Sequence, residues 1–344
     1  MARMVLDHDE SCEVCEQTLS PYQGPAVAHR YEYPVRDVAI ALVRVGRGMS
    51  YTEAAARSRA RTRRGNVISS QLVGNWVEVF APVIAASFPT PDWPETVVLD
   101  ATNFYAPMPG VASARVFDVL CATGYEQGAT EARVLALRAV TRANKRSWTA
   151  FMKSRPGQPT LVISDEDTSL LPTVPQVWST ATLRLCRWHL YRNLAKQLVA
   201  LGIRDSDTNP ITIAARGAFD DLASWRKLKS AVKRRGGADI KDWVANHDYD
   251  LLAEFAGGPL PTHFSNGSAE MALQQVRRVL ERRAFCFRNA ERTNRLLELV
   301  RLRLNKQDDE GHYAAVIRHH LEAGHPLTPQ LTVTDVRGSP SLRP

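Results

Sequence analysis

Three acidic residues that are far apart in the sequence stand where metal-binding carboxylates are often found. Asp100 follows the apolar run at 96–99, Asp165 follows the apolar run at 160–164, and Glu270 opens a helical segment. Two-metal catalysis of phosphodiester cleavage requires carboxylates that hold two divalent ions roughly 3.5–4 Å apart. Mg²⁺ prefers a few carboxylates together with water and phosphate oxygens, so three acids from different elements are sufficient. Asp100, Asp165 and Glu270 are therefore candidate ligands for a pair of such ions.

Each acid also has a structural interpretation when it is taken alone. An Asp after a strand commonly forms a turn or caps a helix. A Glu in a first helical turn commonly interacts with the helix dipole. Glu166 and Asp167 directly follow Asp165, and we expect Asp167 to cap the next segment and Glu166 to be a spare acid. Spacing alone does not separate these interpretations.

The elements around the acids predict the fold that must position them. Strands are expected at 96–99, 115–123, 131–140, 160–164 and 182–185, with a helix at 144–154. A three-strand meander followed by helix, strand, helix, strand and helix is the order of an RNase H-like α/β domain. Neighbouring strand ends of such a sheet can bring Asp100 and Asp165 side by side.

The remaining segments complete the predicted organisation. Residues 1–34 are irregular, 35–88 form an all-α helix-turn-helix domain, and 95–204 are the first part of the core. An all-helical insertion follows at 205–262, and one long helix from near Ser268 to Asn305 dominates the second part of the core at 263–323. Residues 324–344 form a tail.

The helix-turn-helix prediction depends on residues 35–88. Val38, Ala39, Leu42 and Val43 share one helical face, and Ser50 begins a capping box. A basic loop then precedes a third amphipathic helix, an order typical of DNA-binding units and also compatible with a generic three-helix bundle. The arginines of this loop that we expect to contact DNA are Arg59, Arg61, Arg63 and Arg64.

Composition favours a polyanionic partner and excludes several protein classes. Lys and Arg exceed Asp and Glu by 44 to 36 in 344 residues, which gives a net charge of +8. The acidic N-terminal segment has no apolar core of the kind found in signal peptides, and no apolar run has membrane-spanning length. The five cysteines are an odd number and are scattered. We expect a cytoplasmic, nucleoid-associated protein.

Two motifs in the right order resemble known transposases. Asp165 is followed by Cys186-Arg187-Trp188-His189-Leu190-Tyr191-Arg192-Asn193-Leu194, and Ser265-Asn266-Gly267-Ser268-Ala269-Glu270 is followed by an Arg-Ala-Phe-Cys-Phe-Arg-Asn run. These segments resemble the C-x-x-H-x-x-R-N and third-acid motifs of mutator-like transposases and related bacterial insertion-sequence enzymes. Cys286 stands where those enzymes usually have glycine. The resemblance extends from about 35 to 303.

The resemblance implies a DDE-type DNA transposase with Asp100, Asp165 and Glu270 as its catalytic triad. It also implies Mg²⁺ or Mn²⁺ as cofactor, with terminal inverted repeats and target DNA as double-stranded substrates. Synapsis of two DNA ends would require a homodimer or a higher oligomer. The alternatives are a domesticated, non-catalytic DNA-binding regulator and an RNase H-like nuclease or resolvase without strand transfer.

Cysteine and histidine pairs offer further candidate ligands. Cys186 and His189 fall near one helical face. In the related enzymes this pair lies close to the catalytic acids, so the resemblance implies that His189 contacts the scissile phosphate or orients a carboxylate. A buried cysteine beside a satisfied histidine is the equal alternative. Cys12 and Cys15 form half of a structural zinc site that only His8 and His29 are near enough to complete, so free thiols are favoured.

Arginines and tryptophans near the acids have two interpretations as well. Trp188 and Trp225 could stack on an unpaired base, but core packing is the favoured role for both. The arginines of the Glu270 segment either face DNA phosphates or form a solvated face paired with glutamates. We favour DNA contact for Arg277, Arg278, Arg282, Arg283 and Arg288.

Overall fold

The computed structural model describes residues 2–5, 31–60, 65, 67–108, 111–125, 129–204, 208–257, 267–281 and 289–323. The chain divides into two compact units, Thr90–Leu297 and a unit that combines Met1–Pro89 with Glu298–Pro344. Within the described ranges, no helix combines the length and the apolar character that a membrane span requires.

The first unit contains two short strands and a group of helices. Strand β1 (Ala2–Val5) pairs in parallel with β2 (Tyr31–Pro34), so the prediction of irregular structure is wrong for these two segments. Three helices follow, α1 (Val35–Gly46), α2 (Tyr51–Ala56) and α3 (Ser70–Ala86). They confirm the three helices expected between 35 and 88.

Local sequence explains where these helices begin and which face they bury. Val38, Ala39, Leu42 and Val43 of α1 are all buried, as their spacing predicts. The Ser50–Glu53 capping box is present, with the Glu53 N–H donating to Ser50 Oγ at 3.1 Å.

The last helix among the described residues packs in this first unit. Asp309 caps α12 (Glu310–Glu322) by accepting the His312 N–H at 2.7 Å. Tyr313, Ile317 and Leu321 of α12 are buried, and the helix contacts α1 and α3. The predicted second part of the core at 263–323 includes this helix, whereas the structure buries its apolar face in the first unit.

The second unit is built on a mixed five-stranded sheet, which confirms the α/β class. Its strands are β3 (Thr96–Met108), β4 (Val111–Tyr125), β5 (Arg133–Val140), β6 (Leu161–Ser164) and β7 (Thr182–Leu185). The spatial order is β5-β4-β3-β6-β7. The β3–β4 and β4–β5 pairs are antiparallel, and the β3–β6 and β6–β7 pairs are parallel.

Strand β3 is longer than the sequence predicts. The apolar run ends at Leu99, but the strand continues to Met108 because it remains paired with β4 through Met108 and Val111. Asp100 therefore lies inside a strand and not at its C-terminal end. Asp165, in contrast, directly follows β6 as predicted.

The helices of the second unit occur before, within and after the predicted insertion. They are α4 (Lys145–Met152), α5 (Val174–Val177), α6 (Arg187–Ala200), α7 (Pro210–Ala215), α8 (Leu222–Arg235), α9 (Ala238–Ala256), α10 (Gly267–Glu281) and the part of α11 (Ala290–Leu304) up to Leu297. Helices α7, α8 and α9 confirm a helical character for the described part of 205–262. Trp225 and Leu228 of α8 lie in a hydrophobic core that also includes Leu190 and Leu194 of α6.

The two faces of the sheet differ in character. Val97 and Leu99 pack with Trp148 and Phe151 of α4 in the main hydrophobic core. Because side chains alternate along a strand, Asp100 points to the opposite face. That face is covered by α10, which contacts β3 and β4.

The expected single helix from Ser268 to Asn305 is wrong. Helix α10 ends at Glu281, and Asn289 lies outside any helix. The Asn289 side-chain oxygen accepts the Glu291 N–H at 2.8 Å, which starts α11 as a separate helix. Residues 282–288 lie outside the described residues.

A buried ion pair attaches the helical insertion to the sheet edge. Arg184 of β7 donates from Nε to Glu254 of α9 at 2.6 Å, and both side chains are at most 6% exposed. The second Glu254 oxygen accepts the Leu185 N–H at 3.3 Å. Glu254 therefore satisfies a backbone donor on an edge strand that would otherwise be unpaired.

Candidate metal-binding site

Strand register brings Asp100 and Asp165 together. Strands β3 and β6 run parallel, with Leu99 opposite Ser164. The next residue along each segment is an aspartate, so Asp100 and Asp165 lie side by side at this level of the sheet. The Cys186 N–H donates to the Ser164 carbonyl at 2.7 Å, which brings the start of α6 to the same place.

Glu270 reaches the site from the first turn of α10. The helix buries Ala269, Leu273 and Val276 on its apolar face. Its start is fixed by a hydrogen bond of 2.8 Å between the Ser268 and Thr123 hydroxyls, the latter on β4. This attachment positions Glu270 above Asp100.

A group of three side chains has the spacing of a metal site. One ligand atom each from Asp100, His189 and Glu270 lies within 4.8 Å of the other two. This group contains two of the three predicted acids, together with His189 and without Asp165.

Asp165 lines the same cavity as the other two acids. This cavity has a volume of about 500 Å³ and is lined mainly by polar side chains from β3, α6 and α10 and from the segment after β6. The residues that line it are Asp100, Ala101, Thr102, Asn103, Asp165, Glu166, Asp167, His189, Arg192, Asn193, Lys196, Glu270 and Arg277.

The acids disfavour one another's ionisation. Burial, followed by the charges of Asp165 and Glu270, raises the pKa of Asp100 from 3.8 to about 8. Burial likewise raises the pKa of Asp165 to about 6, with repulsion from Asp167 and Glu166. A cation bound between these groups would remove that repulsion.

The hydrogen bonding of Asp100 also fits a cation. Its Oδ1 accepts the Ala101 N–H at 2.7 Å. Its Oδ2 is buried and receives no hydrogen bond from any described residue. A buried carboxylate oxygen without a donor is costly, and a divalent cation would satisfy it. The donor set of carboxylate oxygens suits Mg²⁺ or Mn²⁺.

His189 occupies the cavity as a neutral group. The side chain is buried, and burial lowers its pKa. The neutral ring can offer a lone pair to a cation or to a proton. Cys186, the other half of the predicted pair, is buried at the N-cap of α6 and is not among the residues that line the cavity.

The acids that follow Asp165 are held by other groups. Glu166 accepts hydrogen bonds from Asn193 at 2.6 Å and from His247 of α9 at 2.7 Å. Burial would raise the pKa of Glu166, but these two hydrogen bonds lower it below its usual value. Asp167 caps the next turn by accepting the Ser169 N–H at 2.7 Å. Asp165 is therefore the acid of this segment with an oxygen most available to a ligand.

Three cationic side chains line the cavity with the acids. Arg192 and Lys196 come from α6, and Arg277 comes from α10. Arg277 hydrogen bonds to Thr102 and lies over the Phe104 ring, 5.4 Å from its centroid. Sequence reasoning assigned no role to Arg192, Asn193 or Lys196. They follow His189 by three, four and seven residues, and this spacing indicates that they lie on the same face of α6 as His189.

Three of the nine arginines predicted to bind DNA lie among the described residues. Arg277 lines the cavity, and Arg59 and Arg278 are exposed. The other candidates lie outside the described residues, as do both candidate zinc ligands: Arg61, Arg63, Arg64, Arg282, Arg283, Arg288, Cys12 and Cys15.

The two tryptophans differ in environment. Trp225 is fully buried and donates from Nε1 to Asp248 at 2.8 Å, which confirms core packing. Trp188 is 44% exposed, so the prediction of core packing is wrong for this residue. The neighbouring His189 takes the buried position at the start of α6.

Comparison of the chain with models of protein families finds no match, and comparison with curated proteins finds none either.

Proposed function

We propose that this protein is a DDE-type DNA transposase that cleaves DNA at element ends and joins the released 3′-hydroxyl to target DNA. The observation that carries the proposal is the convergence of the three predicted acids, Asp100, Asp165 and Glu270, on one polar cavity. Asp100 and Glu270 come within 4.8 Å of each other there. The three acids are far apart in the sequence, and each lies in a strand or motif context that predicts a metal ligand.

The fold supports the proposal in two ways. The sheet order β5-β4-β3-β6-β7, with a meander followed by two parallel strands, is the arrangement expected of an RNase H-like core. In the first unit, α2 and α3 pack together as a helix-turn-helix would require. In that interpretation α3 enters the major groove of a terminal repeat.

Each residue of the site has a role in this chemistry. Asp100, Asp165 and Glu270 would hold two Mg²⁺ or Mn²⁺ ions, which supply activation of the attacking oxygen and stabilisation of the leaving oxygen when bound. Arg192, outside the acid cluster, would hold a phosphate of the substrate strand.

Neutral His189 completes the proposed site. It presents a ring nitrogen beside Asp100 and Glu270, where it can orient a carboxylate or accept a hydrogen bond from the attacking hydroxyl group. On this proposal the partners are terminal inverted repeats and target DNA, bound by a dimer or higher oligomer in the cytoplasm.

The proposal is tested by incubating the full-length protein with labelled DNA from the ends of its coding locus in Mg²⁺. We expect the wild type to cut and join these ends, and Asp100→Asn, Asp165→Asn and Glu270→Gln to abolish both steps. Glu281→Gln is the matched control, because Glu281 is exposed at the far end of the same helix.

Each alternative function has its own outcome in this assay. Binding without cleavage by the wild type would favour the regulator, and cleavage without joined products would favour a nuclease or resolvase. Cutting that survives all three substitutions would remove the acids from the mechanism.

A further inference from the structure

Trp188 is exposed although most tryptophans of this chain are buried. Trp76, Trp93, Trp148, Trp178 and Trp225 are at most 4% exposed, whereas Trp188 is 44% exposed. Tryptophan side chains are highly buried on average, so the exposure of Trp188 is unusual and requires an explanation. Trp188 lies on the first turn of α6, directly before His189 of the candidate site.

The Trp188 ring is held in a fixed orientation by its neighbours. The Trp188 and His189 rings form a T-shaped pair, with centroids 4.8 Å apart and planes at 80°. The Arg192 guanidinium lies over the ring, 5.2 Å from the centroid. A ring held on two sides loses little conformational entropy when a ligand stacks on it.

The surface beside the ring is basic. Arg192 and Lys196 follow Trp188 at intervals of four residues, so the three side chains form one stripe along α6. Arg192 and Lys196 are exposed and also line the acid-containing cavity. An aromatic ring can stack on the base of an unpaired nucleotide, and two neighbouring cations can bind the adjacent phosphates.

We propose that Trp188, Arg192 and Lys196 form a stacking platform for an unpaired DNA nucleotide beside the scissile phosphate. The inference rests on the proposed function for its choice of DNA as the ligand. Trp188 stacks on the base, and Arg192 and Lys196 bind the adjacent phosphates. The platform keeps one strand of the DNA end extended next to Asp100 and Glu270.

The test measures binding of a fluorescein-labelled oligothymidylate to the full-length protein by anisotropy, in EDTA so that no metal chemistry contributes. Because base–aromatic stacking contributes about 1–3 kcal/mol per base, Trp188→Ala should weaken binding roughly 5- to 150-fold. Trp188→Phe should remain close to the wild type because phenylalanine still stacks. Val199→Ala, at an exposed position further along α6, is the control and should bind normally.

Salt dependence separates stacking from a structural effect. Trp188→Ala should leave the slope of log affinity against log salt unchanged, since stacking releases no counterions. Lys196→Ala should lower that slope by about 0.7, the value for one contact to single-stranded DNA. The inference is overturned if the wild type does not bind the oligonucleotide, if Trp188→Ala binds like the wild type, or if Trp188→Phe loses as much affinity as Trp188→Ala.

The inference and the proposed function can fail separately. A wild type that does not cleave element ends in Mg²⁺ refutes the proposed function. Trp188-dependent binding of the oligonucleotide in EDTA would support the platform even then.

Discussion

Asp100 combines two properties that seldom occur together in a carboxyl group with a purely structural role. It is 3% exposed, and its Oδ2 receives no hydrogen bond from the described residues. Two further acids raise its pKa in addition to the effect of burial. Ionisation of Asp100 is therefore energetically unfavourable in this environment, and a bound cation would offset that cost.

The cost of ionising Asp100 predicts how the stability of the protein depends on pH. The pKa of Asp100 is about 8 in the folded protein and near 3.8 without burial. The folded state therefore binds more protons between these pH values, and stability falls as pH rises from about 4 to about 8. Asp100→Asn removes this loss because asparagine does not ionise.

In EDTA we expect Asp100→Asn to melt at least about 4 °C above the wild type at pH 8.5, because each 1 kcal/mol shifts the melting temperature by about 2–4 °C in a domain of 150–250 residues. The difference should be clearly smaller at pH 5, where only part of the pH-dependent loss has occurred. Differential scanning calorimetry at both pH values measures it. Equal melting temperatures at pH 8.5 would show that Asp100 ionises at no cost.

Single residues were predictable where a motif surrounded them. The three acids were identified from their motif and strand contexts, whereas the position of His189 in the acid cluster was left open because its partners come from β3 and α10. Trp188 was misassigned because a sequence does not show which side of a helix is covered. That depends on the elements that pack against it, here α8 and the other helices of the insertion.

At the scale of elements, the sequence predicted strands well where apolar runs were short and bounded. Strand β7 has the predicted limits, and β6 begins one residue late. Strand β3 extends far beyond its apolar run because its pairing with β4 sustains it. The split between α10 and α11 was missed because arginine-rich helical periodicity continued through Asn289, whose capping role is visible only in three dimensions.

The attachment of the insertion to the sheet edge can be tested by Glu254→Ala. This substitution removes the carboxylate that accepts from Arg184 Nε and from the Leu185 N–H, although Arg184 Nη1 still donates to the Gly257 carbonyl. Removing one partner of a buried ion pair typically costs about 3–5 kcal/mol. We expect a loss of this size in urea denaturation.

The matched control is Glu291→Ala, which removes an i,i+4 partner of Arg295 in a pair that is about one-third exposed. Such pairs contribute roughly 0–1 kcal/mol. A loss as small for Glu254→Ala as for Glu291→Ala would mean that the insertion is held by apolar packing alone.

At the scale of the whole molecule, the net charge of +8 predicts salt-sensitive DNA binding. Each phosphate contact to duplex DNA adds about 0.9 to the slope of log affinity against log salt. If the basic loop contacts phosphates, the triple substitution of Arg59, Arg61 and Arg63 by alanine should lower that slope by roughly 2 to 3. Anisotropy titrations between low and moderate salt measure the slope.

A triple substitution of Lys145, Arg146 and Lys153 by alanine is the charge-matched control. These exposed residues lie in or directly after α4, on the sheet face opposite Asp100. An equal fall in slope for both variants would indicate diffuse electrostatic attraction with no dedicated contact by the loop.

The most direct test of the proposed metal site is the binding of Mn²⁺ to the full-length protein, measured by electron paramagnetic resonance of the free ion. We expect Mn²⁺ to bind to the wild type and to Glu281→Gln. Asp100→Asn, Asp165→Asn and Glu270→Gln should each weaken binding by at least about 10-fold, since even the indirect partners of metal ligands commonly contribute that much. Unchanged Mn²⁺ binding in all three variants would contradict the claim that these acids form a metal site.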